Sequence, residues 1–180
     1  MSLPSREEAI DLLNNVGCAP HVVDHCINVT EIALKISNLL EEKKYEVNRD
    51  LVEIGGLLHD IGRSETHDVN HSAVGGRIAR SLGLPDEIVR IVERHIGAGI
   101  PKWEAEELGL PEGIYIPITL EEKIVAYADK LICGDKVVDI SITIEDFAED
   151  LGWDHPAIKR LQDLHGEFVE MLGPDFTKQF

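Results

Sequence analysis

The sequence predicts an all-α protein, a bundle of helices without a sheet of consequence. Three observations carry this. Apolar residues recur at intervals of three and four through several long stretches. Helix-opening pairs of the Ser/Thr-x-x-Glu kind occur at Ser5 with Glu8 and at Thr119 with Glu122. Glycine or proline stands at most breaks between the periodic segments. At 180 residues the chain suits one globular unit over 1–180, and no repeat, low-complexity tract or linker divides it.

Ser5 and Glu8 open a short helix that Gly17 closes. After Pro20, residues Val22, Cys26, Val29, Ala33, Ile36 and Leu40 mark one face of a long amphipathic helix, with His25 beside that stripe. Asn48 caps the next helix, whose Leu51, Ile54, Leu57 and Leu58 run into His59-Asp60 before Gly62 stops it. Residues Arg63 to Val69 are polar and read as a loop. Asn70 caps a helix carrying His71, Ala73, Val74, Ile78 and Ala79, which ends at Gly83. Pro85 suits the first turn of another that runs toward His95, broken by Gly97 and Gly99. The punctuated stretch Pro101 to Pro117 holds a short helix around Trp103 to Leu108, and Gly113 to Ile118 is the only extended candidate. Thr119 opens the helix that carries Asp129. Two tail helices follow, near Ile144–Leu151 and Pro156–Leu172.

Composition excludes several function classes. The hydrophobic fraction is 43%, yet no apolar run approaches the roughly 20 residues that span a bilayer. Arg6, Glu7 and Glu8 precede any apolar stretch, which is not the layout of a signal peptide, so the expected compartment is the cytoplasm. A formal net charge of -17 repels nucleic-acid phosphates and argues against a nucleic-acid or anionic-membrane module. Three cysteines, Cys18, Cys26 and Cys133, are too few and scattered for a disulfide framework or a thiolate zinc site. Cys26 and Cys133 lie in apolar, helix-like stretches and read as small buried hydrophobes.

The chemistry centres on His59-Asp60. Neighbours inside a helix point apart, but at a helix end, where Ile61-Gly62 lets the backbone turn, both side chains can reach one cation. His67-Asp68, a second such dipeptide in a polar loop, shows how little the pair means alone. Its company matters more. His25 borders one apolar stripe and Asp129 follows the run Ile124-Val125-Ala126 of another. Ionisable groups so placed need partners, and a shared metal would satisfy several together.

These residues resemble the HD superfamily of metal-dependent phosphohydrolases. The string GLLHDIGR, Gly56 to Arg63, matches the HDIG subgroup, and HSAVGG after Asn70, VERHIGAG around His95 and LEEKIVAYADKL around Asp129 extend the match. The likeness covers residues 21–135, leaving 136–180 as a C-terminal helical extension of an HD-type bundle. It is especially similar to archaeal-type HDIG proteins, for which it supplies no substrate. The resemblance implies His25, His59, Asp60 and Asp129 as core ligands, with His71 and His95 adding a second metal and Asp60 bridging. Four imidazoles and two carboxylates suit one or two divalent transition ions, iron or manganese first, with cobalt, nickel and zinc also possible; magnesium fits less well.

The implied reaction is hydrolysis of a phosphate ester or anhydride in a small, nucleotide-like molecule. Asp60 would take part in catalysis and Arg63, just past the Ile-Gly turn, would clamp phosphate. Lys130 is a weaker clamp; Glu122 and Lys123 read as cap and ion-pair residues. His21, four before His25, reads as surface; His67 and Asp68 read as loop residues placed to face the pocket; His155 and His165 read as structural. Two rivals stay open: a di-iron oxygenase with the same ligand set, and a catalytically silent nucleotide-binding module. A phosphate-containing small molecule is the expected partner, with no nucleic acid and no membrane, and a homodimer is a possible assembly.

Overall fold

The computed structural model describes residues 2–180, and its helix starts show why these segments fold as they do. At α1 (Arg6–Asn15) the Ser5 hydroxyl accepts from the Glu8 amide (3.2 Å) and the Glu8 carboxylate accepts from the Ser5 amide (2.7 Å). Two otherwise orphaned donors are thereby satisfied. α2 (Pro20–Glu42) begins on proline, whose fixed φ suits a first turn and whose missing N–H costs nothing there. Asn48 accepts from the Leu51 amide (3.1 Å) to open α3 (Arg49–Leu58). A 3-10 turn, Ile61–Ser64, leads on to α4 (His71–Ser81), α5 (Asp86–Arg94) and the short α6 (Lys102–Glu107). α7 (Leu120–Asp129) repeats the reciprocal cap with Thr119 and Glu122. α8 (Ile140–Leu151), α9 (Pro156–Leu172) and a last 3-10 turn, Phe176–Gln179, complete the order.

Several expectations move. Asn70 does not cap α4: its own backbone is already helical (φ -75°, ψ -1°), and its side-chain oxygen accepts from the Thr66 hydroxyl (3.3 Å) instead. Pro85 stands before α5 rather than in its first turn. The stretch after Asp60 is not all loop, since the 3-10 turn takes in Arg63 and Ser64. Within Gly113–Ile118 only one bridge forms, Tyr115 to Ile100. The hairpin instead joins β1 (Ile132–Cys133) to β2 (Lys136–Val137) across Gly134, whose φ of +63° the turn requires. Cys133 is therefore exposed on a strand, not buried on a helix, while Cys18 and Cys26 are buried. α8 starts before Ile144 because Asp139 caps it by accepting from the Ser141 amide (2.9 Å).

α2 runs through the middle of the bundle, packed on α1, α3, α7 and α9. Its Val22, Cys26, Val29, Ala33, Ile36 and Leu40 are all buried, so the periodic stripe is the face that meets the core. α5 packs on α3, α4 and α7. The tail joins the same core: Phe168 and Phe176 are buried, and the Phe168 ring stacks on Tyr127 of α7 (4.6 Å, 22°). The Tyr127 hydroxyl donates to Nδ1 of His165 in α9 (2.7 Å), and burial raises its pKa, so the phenol stays protonated. Among the described residues no helix is long and apolar enough to cross a membrane.

A buried ion pair fastens α5 to α7. Arg94 Nη1 donates to both Glu122 oxygens (3.0 and 2.9 Å), and Arg94 Nε donates to the Ile114 carbonyl (3.2 Å). Glu122 Oε2 also accepts from the amides of Ile118 (2.6 Å) and Thr119 (3.3 Å). With the Glu122 side chain only 2% exposed, removing it strands a cation away from water. Glu122→Ala is expected to destabilise the fold by about 3–5 kcal/mol in denaturant titrations; a loss below ~1 kcal/mol would place the pair among surface salt bridges. Burial pushes the Cys18 thiol up to about 11 and raises that of Cys26 as well. A thiol reagent at neutral pH is thus expected to modify Cys133 alone in the folded protein and all three cysteines in denaturant, read by intact mass.

Candidate metal centre

Six side chains from five helices and one turn meet at one end of the bundle. His25 comes from α2, and His59 follows the last residue of α3. Asp60 comes next with φ -99° and ψ 16°, outside the helical basin. That departure lets adjoining residues face one point, as the position of Gly62 suggests. His71 is the first residue of α4, His95 follows the last of α5, and Asp129 is the last of α7.

Three of the histidines are oriented in the same way. Nδ1 donates to a main-chain carbonyl three residues upstream: His59 to Gly56 (2.7 Å), His71 to Asp68 (2.7 Å) and His95 to Val92 (2.8 Å). In a neutral ring, a proton on Nδ1 leaves a lone pair at Nε2. At His59 burial disfavours the charged form, but the Asp60 carboxylate outweighs it and raises the pKa well above the ordinary imidazole value. Burial pushes His95 down to about 4, so it is neutral at ordinary pH. His25 differs, its Nε2 being 2.9 Å from Asp129 Oδ1 in a hydrogen bond.

The two oxygens of Asp60 face different sets of rings. Oδ1 lies 3.1 Å from His71 Nε2 and 3.4 Å from His95 Nε2. Oδ2 lies 3.7 Å from His59 Nε2 and 3.8 Å from His25 Nε2. His59 Nε2 is also 3.6 Å from Asp129 Oδ1. Burial works against ionising Asp60 and Asp129, yet both carboxyls are held well below the usual range. His59, His71 and His95 do this at Asp60; the Lys130 ammonium, His25 and His59 do it at Asp129.

The donor set fits a divalent ion on geometry as well as chemistry. His59 Nε2 and Asp60 Oδ1 are buried without a properly aligned hydrogen bond, although other polar atoms lie close. Such convergence is costly for groups that serve only one another, and natural for atoms that could share a cation. His25, His59 and Asp129 form one group whose donor atoms all lie within 4.8 Å of each other; His59, Asp60 and His95 form a second. His71 falls outside both groups, but its Nε2 is 3.1 Å from that of His95.

Glycine makes this packing possible. A Cβ on Gly62 would collide with the His71 carbonyl oxygen and lie 2.6 Å from the Gly75 amide nitrogen. The turn after Asp60 and the start of α4 therefore touch backbone to backbone, which brings His71 beside Asp60.

Arg63 does not extend freely into solvent. Its Nε donates to Asp60 Oδ2 (2.6 Å) and its Nη1 to the His67 carbonyl (3.5 Å). Beside it a cleft of about 470 Å³ opens, lined by His21, Asp24, His25, Asn28, Asp60 and His67 among others. Sequence reading missed Asp24 and Asn28; together with His21 and His25 they form a polar row at helical spacing along α2, a signal that was present. It also underrated Lys130, whose buried ammonium folds back onto the Asp129 carboxylate. His155 caps α9 by accepting from the Ala157 amide, and His165 serves Tyr127, both away from the cluster.

Comparison with known proteins agrees with this architecture. A model of the HD domain matches residues 22–132. An uncharacterised protein of Methanocaldococcus jannaschii is 51% identical over 166 residues, which covers 92% of this chain and 98% of that one. The tRNA (cytidine(56)-2'-O)-methyltransferase of Thermoplasma volcanium is 38% identical over 98% of this chain but 50% of its own length. Dihydroneopterin 2',3'-cyclic phosphate phosphodiesterase of M. jannaschii is 30% identical over 68% of this chain and 49% of its own. The chain thus spans about half the length of these last two. Among solved structures, the HD domain of Listeria monocytogenes phosphodiesterase PgpH in complex with cyclic-di-AMP superposes with a TM-score of 0.55 at 19% identity, covering 91% of this chain and 98% of that one. That is a likeness of fold. The helical architecture and the family match over more than half the length make this chain a member of the HD domain family.

Proposed function

We propose that the protein is a metal-dependent phosphohydrolase that cleaves a phosphate ester or anhydride of a small, nucleotide-like molecule with an activated water. The observation that carries this reading is the convergence of four imidazoles and two carboxylates beside an arginine-bearing cleft. The cyclic phosphate phosphodiesterase among the relatives supports phosphorus–oxygen cleavage as the reaction class. The methyltransferase relatives name another activity, but this chain spans only half of such a protein. We also take residues 1–180 as one cytoplasmic HD unit; the sharing of a core between α2 and the tail residues Phe168 and Phe176 supports its unity.

In this reading His25, His59, Asp60 and Asp129 would hold one ion, and His71 and His95 together with Asp60 would hold a second. Iron or manganese suits this mixed nitrogen–oxygen set best, with cobalt, nickel and zinc also compatible. When bound, such ions lower the pKa of water and polarise a phosphoryl oxygen. The chain's own groups do the rest. The Nδ1 bonds keep the imidazoles aimed, and Lys130 balances the buried charge of Asp129. Asp60 orients the attacking water by accepting its hydrogen bond. Arg63 exchanges its bond to Asp60 for the phosphoryl oxygens, where negative charge grows as the leaving oxygen departs.

Two measurements test this. In the double variant His59→Ala/Asp60→Ala, bound metal is expected to fall to background and phosphate release from nucleotides and dinucleotides to vanish. Full turnover in that variant would sink the proposal, and oxygen uptake without phosphate release by the wild type would favour a di-iron oxygenase. Arg63→Ala is expected to keep its metal while losing about 100-fold in turnover, the usual scale for one charge-stabilising donor. Loss of metal in step with activity would instead make Arg63 a support for Asp60.

A further inference from the structure

The cleft has a second end that the proposed hydrolysis does not use. His21, at the start of α2, and His67, in the loop before α4, meet across its mouth from residues far apart in sequence. Their planes lie within 19° of parallel and their centroids 6.4 Å apart, toward the outer end of the range for a direct aromatic pair, about 4.5–7 Å. Both residues are exposed, and neither imidazole has a hydrogen-bond partner among the described residues. Two near-parallel polar rings lining one cleft, with no hydrogen bond to the rest of the fold, suit a ligand better than they suit the fold.

The loop that carries His67 is nonetheless held in place. Thr66 Oγ1 accepts from the Asp68 amide (3.2 Å), and the Asp68 carbonyl accepts from both the amide and Nδ1 of His71 (3.0 and 2.7 Å). The His67 carbonyl accepts from Arg63 (3.5 Å). The backbone that carries the ring is thus tied to the reacting end through Arg63 and through His71. On the facing wall, Asn28 lies one turn beyond His25 on α2, with an amide able both to donate and to accept.

We infer that His21 and His67 form a ring-binding subsite that selects phosphate substrates carrying a flat heteroaromatic group, such as a purine or a pterin, with Asn28 reading its polar edge or the sugar beside it. This deepens the phosphohydrolase reading and rests on it for the position of the phosphate. A ring stacked on the imidazoles leaves the phosphate directed inward, toward Arg63 and Asp60. The cleft's 470 Å³ is within the range of small-ligand sites, about 300–1,000 Å³.

The test compares His21→Ala, His67→Ala and the double variant with the wild type. Selectivity is the ratio of kcat/KM for AMP or 2',3'-cyclic AMP to kcat/KM for ribose 5-phosphate. The double variant is expected to lose about 5- to 150-fold of that ratio, the scale of one base–aromatic stack, mainly through KM, with metal content unchanged. The conservative variants His21→Phe and His67→Phe are expected to retain most of it, since a phenyl ring stacks without the imidazole's polarity. An unchanged ratio, or equal losses on both substrates, overturns the subsite. Binding is followed separately by fluorescence of 1,N6-etheno-AMP on the metal-loaded protein. If the wild type binds it and the double variant does not, while neither releases phosphate from AMP nor opens 2',3'-cyclic AMP to the monoester, the subsite stands and hydrolysis falls. If turnover of AMP persists in the double variant with the same KM, hydrolysis stands and the subsite falls.

Discussion

An ionised carboxylate with 4% side-chain exposure is unstable in a protein interior unless other groups surround it, and Asp60 is that group here. Each of its oxygens faces two imidazoles, and one also accepts from Arg63. Those imidazoles arrive from α2, α3, α4 and α5, so the demand of one buried anion fixes where four helices begin, end or pass. The caps belong to the same constraint. His59 and His95 each use Nδ1 to occupy a carbonyl in the last turn of a helix, and His71 uses its own on the Asp68 carbonyl in the loop before α4, which leaves each Nε2 to face inward.

Two further interactions keep that arrangement closely spaced. Gly62 permits backbone contact between the turn after Asp60 and the first turn of α4, a spacing no larger residue allows. Arg94 and Glu122 then tie the end of α5, which delivers His95, to the start of α7, which delivers Asp129 at its other end. Neither touches the converging imidazole and carboxylate atoms. Both set distances that those atoms depend on.

Much of this was legible from local signals. The reciprocal caps at Ser5 and Thr119, the apolar stripe of α2 and the break after His59-Asp60 involve residues within a few positions of each other, where backbone chemistry acts directly. The grouping of His25, His59, Asp60 and Asp129 followed from motif order and from the improbability of unpartnered ionisable groups beside apolar faces. What escaped was set by distant contacts. Cys133 sits on a strand because Ile132 pairs with Val137, and propensity in that short apolar run did not distinguish strand from helix. Asn70 lost its capping role to a side-chain bond with Thr66. The fold-back of Lys130 onto Asp129 runs against the usual divergence of helix neighbours, and only the end of α7 makes it possible.

The aromatic knot behind α7 has a consequence for how the chain's last stretch should be regarded. Phe168, Phe176 and His165 press on Tyr127, which stands two positions before Asp129 on the final turn of its helix. A helix end frays unless something braces it, and here the brace is drawn from the far end of the polypeptide. The stretch from His165 to Phe176 is therefore a splint for the helix that carries Asp129 rather than an ornament hung on it.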